Sequence, residues 1–163
     1  MVSLDRYGIH RSVEPRNVLP QSAWRLDNGT DIRPDEILVD VETLDIDAST
    51  FRKFLAESNG DPAAVGEAIL AVVRMRGKLH HPVTDAGGIL LGRVARIGQA
   101  VEGQIPLQEG DRIVTLASLA WTPLALTRIR EIRSDVGQID VDGQAVLFPG
   151  SLYTTLPSDL PER

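Results

Sequence analysis

Residues 92–116 read GRVARIGQAVEGQIPLQEGDRIVTL, and the spacing of their glycines decides the fold. Residues 89–97 are an apolar, β-branched run, and Gly98 offers a turn where the run stops. A variable loop follows. Then Leu107-Gln108-Glu109-Gly110-Asp111 makes a tight turn into Arg112-Ile113-Val114-Thr115-Leu116, a second strand.

The pattern extends in both directions. Upstream, residues 36–43 read EILVDVET, in which Ile37, Val39 and Val41 alternate with Leu38, Asp40 and Glu42, the signature of a half-buried strand. Residues 1–34 hold Pro15, Pro20, Asn28-Gly29 and Pro34, which predicts loops and short strands, with a hairpin turn at Asn28-Gly29. Downstream, residues 124–132 read as a strand. Residues 139–141 and 145–148 flank Asp142-Gly143, which predicts a hairpin there.

Two helices interrupt the strands. Ser49 or Thr50 is the expected cap of the first, which should end near Glu57, before Asn59-Gly60. The second has an N-cap at Asp61, Pro62 at its first position and Gly77 beyond its end. Val65, Ile69, Val72 and Val73 share one face at helical spacing. Many short strands with Gly and Pro turns, plus two or so inserted helices, predict a mainly-β fold built on a barrel.

Composition narrows the function. The 163 residues favour one domain, and 42% hydrophobic content is globular. A net charge of −6 gives no electrostatic footprint for nucleic acid. Without cysteine there is no disulfide, iron–sulfur cluster, thiolate zinc site or cysteine nucleophile. The N-terminus is charged throughout and lacks the apolar core of a signal peptide, and no apolar run approaches the ~20 residues of a membrane helix. The expected location is cytoplasmic, with no membrane partner.

The cadence Gly92-x-Val94-x-x-Ile97-Gly98, then Leu107-x-x-Gly110-Asp111-Arg112-Ile113, resembles the N-terminal GroES-like domain of the medium-chain dehydrogenase/reductase superfamily. A wider match resembles the L-erythro-3,5-diaminohexanoate dehydrogenase family. It is carried by Tyr7-Gly8-Ile9-His10-Arg11, Glu14-Pro15, Val18-Leu19-Pro20, Glu36-Ile37-Leu38, residues 44–51, Arg76-Gly77-Lys78, Pro82-Val83-Thr84, Gly87-Gly88 and Thr122-Pro123-Leu124. The resemblance implies a GroES-like β-barrel over residues 1–155. It also implies a linker over 156–163 toward a nucleotide-binding (Rossmann) domain that these residues do not contain. No G-x-G-x-x-G motif follows a strand.

The implied activity is NAD(P)-dependent oxidative deamination of a small diamino acid, as in lysine fermentation. NAD or NADP would be bound mainly by a nucleotide-binding domain in cis or in trans, with a homodimer possible in the complete enzyme. Zinc relatives carry a Cys and a His-Glu pair where this chain has Asp47 and Gly88-Ile89, so the implied site holds no zinc or other metal. Alternatives are a stand-alone, non-catalytic GroES-like binding module and a zinc-free quinone or enone reductase relative.

A substrate with two ammonium groups and a carboxylate needs acids for the former and an Arg or Lys for the latter. Asp47 is the candidate catalytic residue, with Asp45 and Ser49 beside it. The competing reading of all three is turn and cap chemistry. Arg11 is a candidate carboxylate clamp, His10 a proton relay, and Tyr7 and Thr84 further substrate contacts. Surface charge on a strand edge is the alternative for the N-terminal trio. His80-His81 lacks a third ligand at usable spacing and reads as loop. Trp24 and Trp121 read as core or interface anchors.

Overall fold

A computed structural model describes residues 4–161. Its strands are β1 (Ser12–Glu14), β2 (Arg25–Leu26), β3 (Ile37–Ile46), β4 (Gly88–Ile97), β5 (Arg112–Thr115), β6 (Leu124–Arg133), β7 (Gln138–Leu147) and β8 (Tyr153–Thr155). The helices α1 (Ala48–Glu57) and α2 (Pro62–Arg76) lie between β3 and β4. Six strands form one antiparallel sheet in the order β6-β7-β3-β4-β5-β8, and β1 pairs with β2. The chain is mainly β with two helices, as its patterning predicts. The sheet is open, with β6 and β8 as its edges, rather than closed into a barrel. Among the described residues no helix is long and apolar enough to cross a membrane.

β3 is the central strand, and one irregularity in it positions the rest. Its register slips between Val41 and Thr43 against both β4 and β7. The extra residue of this bulge changes the phase of alternation. Ile37, Val39 and Val41 are buried before it, Leu44 and Ile46 after it. Glu42 and Thr43 therefore sit at the bulge, and Asp45 alternates away from the core. Phe51 and Phe54 of α1 and Val65, Ile69 and Val73 of α2 bury themselves with the inner face of the sheet in one apolar cluster.

The second helix follows its sequence signals closely. Asp61 accepts from the Ala63 amide, and Gly77 ends the helix at φ 66°, its N–H donating to the Val73 carbonyl. A Cβ at Gly77 would lie 2.1 Å from the Leu26 carbonyl oxygen, so only glycine lets β2 pass here.

Both predicted hairpin turns are corrected. Asp142-Gly143 lies inside β7, where Gly143 faces Val41 on one side and Leu126 on the other. Its missing Cβ admits the Ala125 carbonyl, which a side chain would meet at 2.4 Å. The reversal occurs at residues 134–137 instead, where the Gly137 amide donates to the Arg133 carbonyl. Asn28-Gly29 follows β2 without reversing the chain into a partner strand. Asn28 Nδ2 instead donates to the Leu124 carbonyl across the fold. A turn-forming dipeptide reports what the backbone tolerates, and here strand pairing used that tolerance for close approach.

Candidate functional site

The end of β3 runs directly into α1, and Asp47 is the hinge between them. Its Oδ1 accepts from the Ser49 hydroxyl at 2.6 Å and from the Thr50 amide at 3.0 Å. Asp47, not Ser49 or Thr50, is therefore the helix cap. Thr50 is fully buried, and its hydroxyl bonds that of Thr84 at 2.7 Å. The loop carrying Thr84 is stitched to α1 a second time through His81. His81 Nδ1 accepts from the Val83 and Thr84 amides, and its ring packs edge-on against Phe54. The structure thus draws Asp47, Ser49 and Thr84 into one cluster.

Burial opposes ionisation of Asp47, but the bonds from Ser49 and Thr50 outweigh it and hold the carboxyl below its ordinary range. The second oxygen, Oδ2, is buried and has no partner among the described residues. A buried charged oxygen without a partner is uncompensated among the described residues. Both cap bonds fall on Oδ1, while Oδ2 is enclosed by the chain.

Asp45 separates from this cluster. It lines a cleft of about 550 Å³ on the outer face of the sheet, with Glu42, Thr43, Arg112, Arg130, Arg133, Gln138 and Asp140. Its carboxylate makes one hydrogen bond among the described residues, a long one at 3.5 Å from Gln138 Nε2. It shares no hydrogen-bond partner with Asp47.

The N-terminal trio is placed elsewhere, and two of its expected roles are corrected. Arg11 is 3% exposed, and Glu36, which it pairs, is 0% exposed. Arg11 donates from Nε and Nη2 to the two oxygens of Glu36 at 2.7 and 2.6 Å. Its remaining donors go to the carbonyls of Asp27, Gly29 and Asp31. A guanidinium has five N–H donors, and all are used, so Arg11 has none left to clamp a substrate carboxylate. His10 is pinned between Asp5 Oδ2 at 2.7 Å and Glu36 Oε1 at 2.6 Å. With a carboxylate at each nitrogen the ring is held as imidazolium. Burial works against that charge, but Glu36 and Asp5 raise its pKa above the ordinary value. A ring locked in this way is a tie, not a relay.

Glu36 responds in turn. Burial alone would raise its pKa, yet the bonds from Arg11 and His10 bring it down to about 2. The Tyr7 amide donates to Asp5 Oδ1 at 3.1 Å, but its side chain lies outside this network, exposed on the rim of an apolar groove of about 380 Å³ beside Leu19, Leu116, Trp121 and Leu152.

Two groups that the sequence assigns to a family motif and to a loop are buried. Lys78 is 0% exposed and donates from Nζ to the carbonyls of Pro20 and Gln21. Burial, followed by the neighbouring Arg76, pushes its pKa down to about 7, against the pull of Asp85. His80 places Nε2 on Asp85 and leaves Nδ1 buried without a partner among the described residues; burial lowers its pKa. No local signal marks the burial of Lys78, because a lysine just past a helix end is ordinarily a surface residue. Among the described residues no group of three or more acidic or histidine side chains is arranged to hold a metal ion.

Comparison with known proteins places the sequence in a family. The chain is 40% identical over 157 residues to an L-erythro-3,5-diaminohexanoate dehydrogenase of Acetoanaerobium sticklandii. The aligned region is 96% of this chain and 46% of that protein. It is 41% identical over 158 residues to the enzyme of the same name from Fusobacterium nucleatum, covering 97% of this chain and 46% of the relative. The chain thus spans under half the length of these curated relatives. Residues 10–157 match the N-terminal domain of L-erythro-3,5-diaminohexanoate dehydrogenase, and the chain belongs to that domain family.

Proposed function

We propose that this chain is the N-terminal, substrate-binding half of an NAD(P)-dependent oxidoreductase that deaminates L-erythro-3,5-diaminohexanoate. Residues 1–155 form the substrate domain, and 156–163 lead toward a nucleotide-binding domain supplied in cis or in trans, through which the complete enzyme dimerises. The setting is cytoplasmic lysine fermentation. In the overall reaction the 3-amino carbon loses a hydride and its nitrogen a proton. Water then adds to the imine, ammonia leaves, and 5-amino-3-oxohexanoate remains. The dinucleotide, NAD or NADP, supplies the hydride acceptor.

The described residues do not fit that dinucleotide. The strand-to-helix turn at Ile46-Asp47-Ala48 has no glycine and presents a carboxylate where a pyrophosphate needs amide donors. This chain's contribution is charge complementarity and positioning. Asp47 is half-buried and offers its carboxylate to an ammonium from its open side, and Ser49 and Thr50 keep that carboxylate ionised and oriented. A carboxyl held below its ordinary range is a poor base near neutral pH, so Asp47 binds the amine rather than deprotonating it. Thr84, tied to Thr50, holds the facing loop in place.

The observation that carries the reading is identity of about 40% across nearly the whole chain to two diaminohexanoate dehydrogenases. The test is Asp47→Asn in the enzyme that joins this chain to its nucleotide-binding half. The expected result is at least a tenfold rise in KM for the diamino acid. Unchanged KM and kcat would remove Asp47 from the site, and no substrate-dependent NAD(P) reduction by the unmutated enzyme would sink the whole reading.

A further inference from the structure

The outer-face cleft is assembled from β3, β4, β5, β6 and β7, with Leu156, Leu160 and Pro161 along one rim. Three carboxylates and three arginines line it, but they do not cancel one another. Arg112 is committed to Glu42 at 2.9 Å through Nη2. Arg133 makes a two-pronged pair with Asp140 at 2.6 and 2.7 Å. Arg130 turns to Asp142, which lies outside the cleft, at 3.1 Å. Asp45 is left as the one cleft carboxylate with no cationic partner among the described residues. A half-buried carboxylate with one long hydrogen bond lacks the compensation that partial desolvation calls for.

The surroundings say what would compensate it. Ile89, Leu91 and Val114 give the cleft an aliphatic wall, and Leu156 and Leu160 continue it on the rim. Arg130 is 44% exposed in its side chain and bonds through Nε and Nη2, leaving Nη1 without a bond among the described residues. The cleft therefore offers an anion for a cation, an apolar stretch, and a free guanidinium nitrogen for an anion. Its volume lies within the usual range for small-molecule sites.

We propose that this cleft binds a short aliphatic amino acid whose ammonium is remote from its carboxylate, with the ammonium on Asp45 and the carboxylate on Arg130. Taking the natural ligand to be the diamino acid rests on the function proposed above; the cleft's own chemistry does not.

The test is an amide NMR titration of the 163-residue chain with 5-aminopentanoate, pentylamine and pentanoate. Binding of 5-aminopentanoate should shift Asp45, Leu91, Arg130 and Gln138. Asp45→Asn should weaken it at least tenfold, and the fold should survive because Asp45 makes so little contact. Arg130→Gln should weaken 5-aminopentanoate but leave pentylamine unchanged, and pentanoate should not compete. Absence of shifts at these residues, equal affinity of the Asp45→Asn variant, or pentanoate binding as tightly as the amino acid would each overturn the proposal. Because the readout needs no turnover, cleft binding without dehydrogenase activity in the complete enzyme would overturn the function and leave the cleft standing. The converse result would do the opposite.

Discussion

Arg11 is the residue whose replacement tells most, because its sequence role and its structural role predict different outcomes. In Arg11→Leu the aliphatic side chain roughly fills the space but supplies no donor. Glu36, 0% exposed, loses both of its arginine bonds, and the carbonyls of Asp27, Gly29 and Asp31 lose theirs. Breaking a buried ion pair by removing one partner costs about 3–5 kcal/mol, since the remaining charge stays desolvated. At this chain length about 4 kcal/mol corresponds to a Tm lower by about 8–16 °C. Arg11→Lys should recover only part of the loss, because an ammonium cannot span both Glu36 oxygens and three carbonyls.

Urea unfolding followed by circular dichroism measures the stability directly. The wild type should also weaken in acid. Unfolded Glu36 takes a proton near its ordinary 4.5, but in the fold only near 2. Stability from this group is therefore complete above about pH 4.5 and falls away as pH drops toward 2. Arg11→Leu should flatten that acid limb. A loss below about 1 kcal/mol with the acid limb intact would refute the buried tie and return Arg11 to the list of substrate contacts.

Two further outcomes follow from the geometry. Only His10, His80 and His81 give imidazole signals, and in an NMR titration His10 should lose its proton above its ordinary 6.5 while His80 does so below it. The stability His10 contributes is complete below 6.5 and lost as pH rises through its raised pKa. Asp5→Asn should move the His10 midpoint downward, and an unmoved midpoint would show that Asp5 does not hold the ring. Gly77→Ala should cost about 2–4 kcal/mol in the same urea assay, from left-handed backbone strain plus the clash with the Leu26 carbonyl. A cost below 1 kcal/mol would mean that β2 can retreat.

The sequence by itself determined whatever depends on near neighbours along the chain. The second helix was legible from Asp61, Pro62 and Gly77, because caps are made within one turn and their residue types are chemically required. The strand character of 36–43 and 89–97 was legible from alternation and branching, though not the continuation of the first strand to Ile46, and the family from short runs at fixed spacing. Tertiary structure decided everything that depends on pairing across distance. The bulge at Val41 and Thr43 exists only against β4 and β7, and it is what sends Asp45 to the outer face. Gly143 became a site of close strand approach instead of a turn because β6 needed the space. Arg11 and Glu36 are 25 residues apart, and no local pattern says that each exhausts the other. Local chemistry chooses backbone conformation, whereas a charged side chain becomes structural or available only after the fold has assigned its partners.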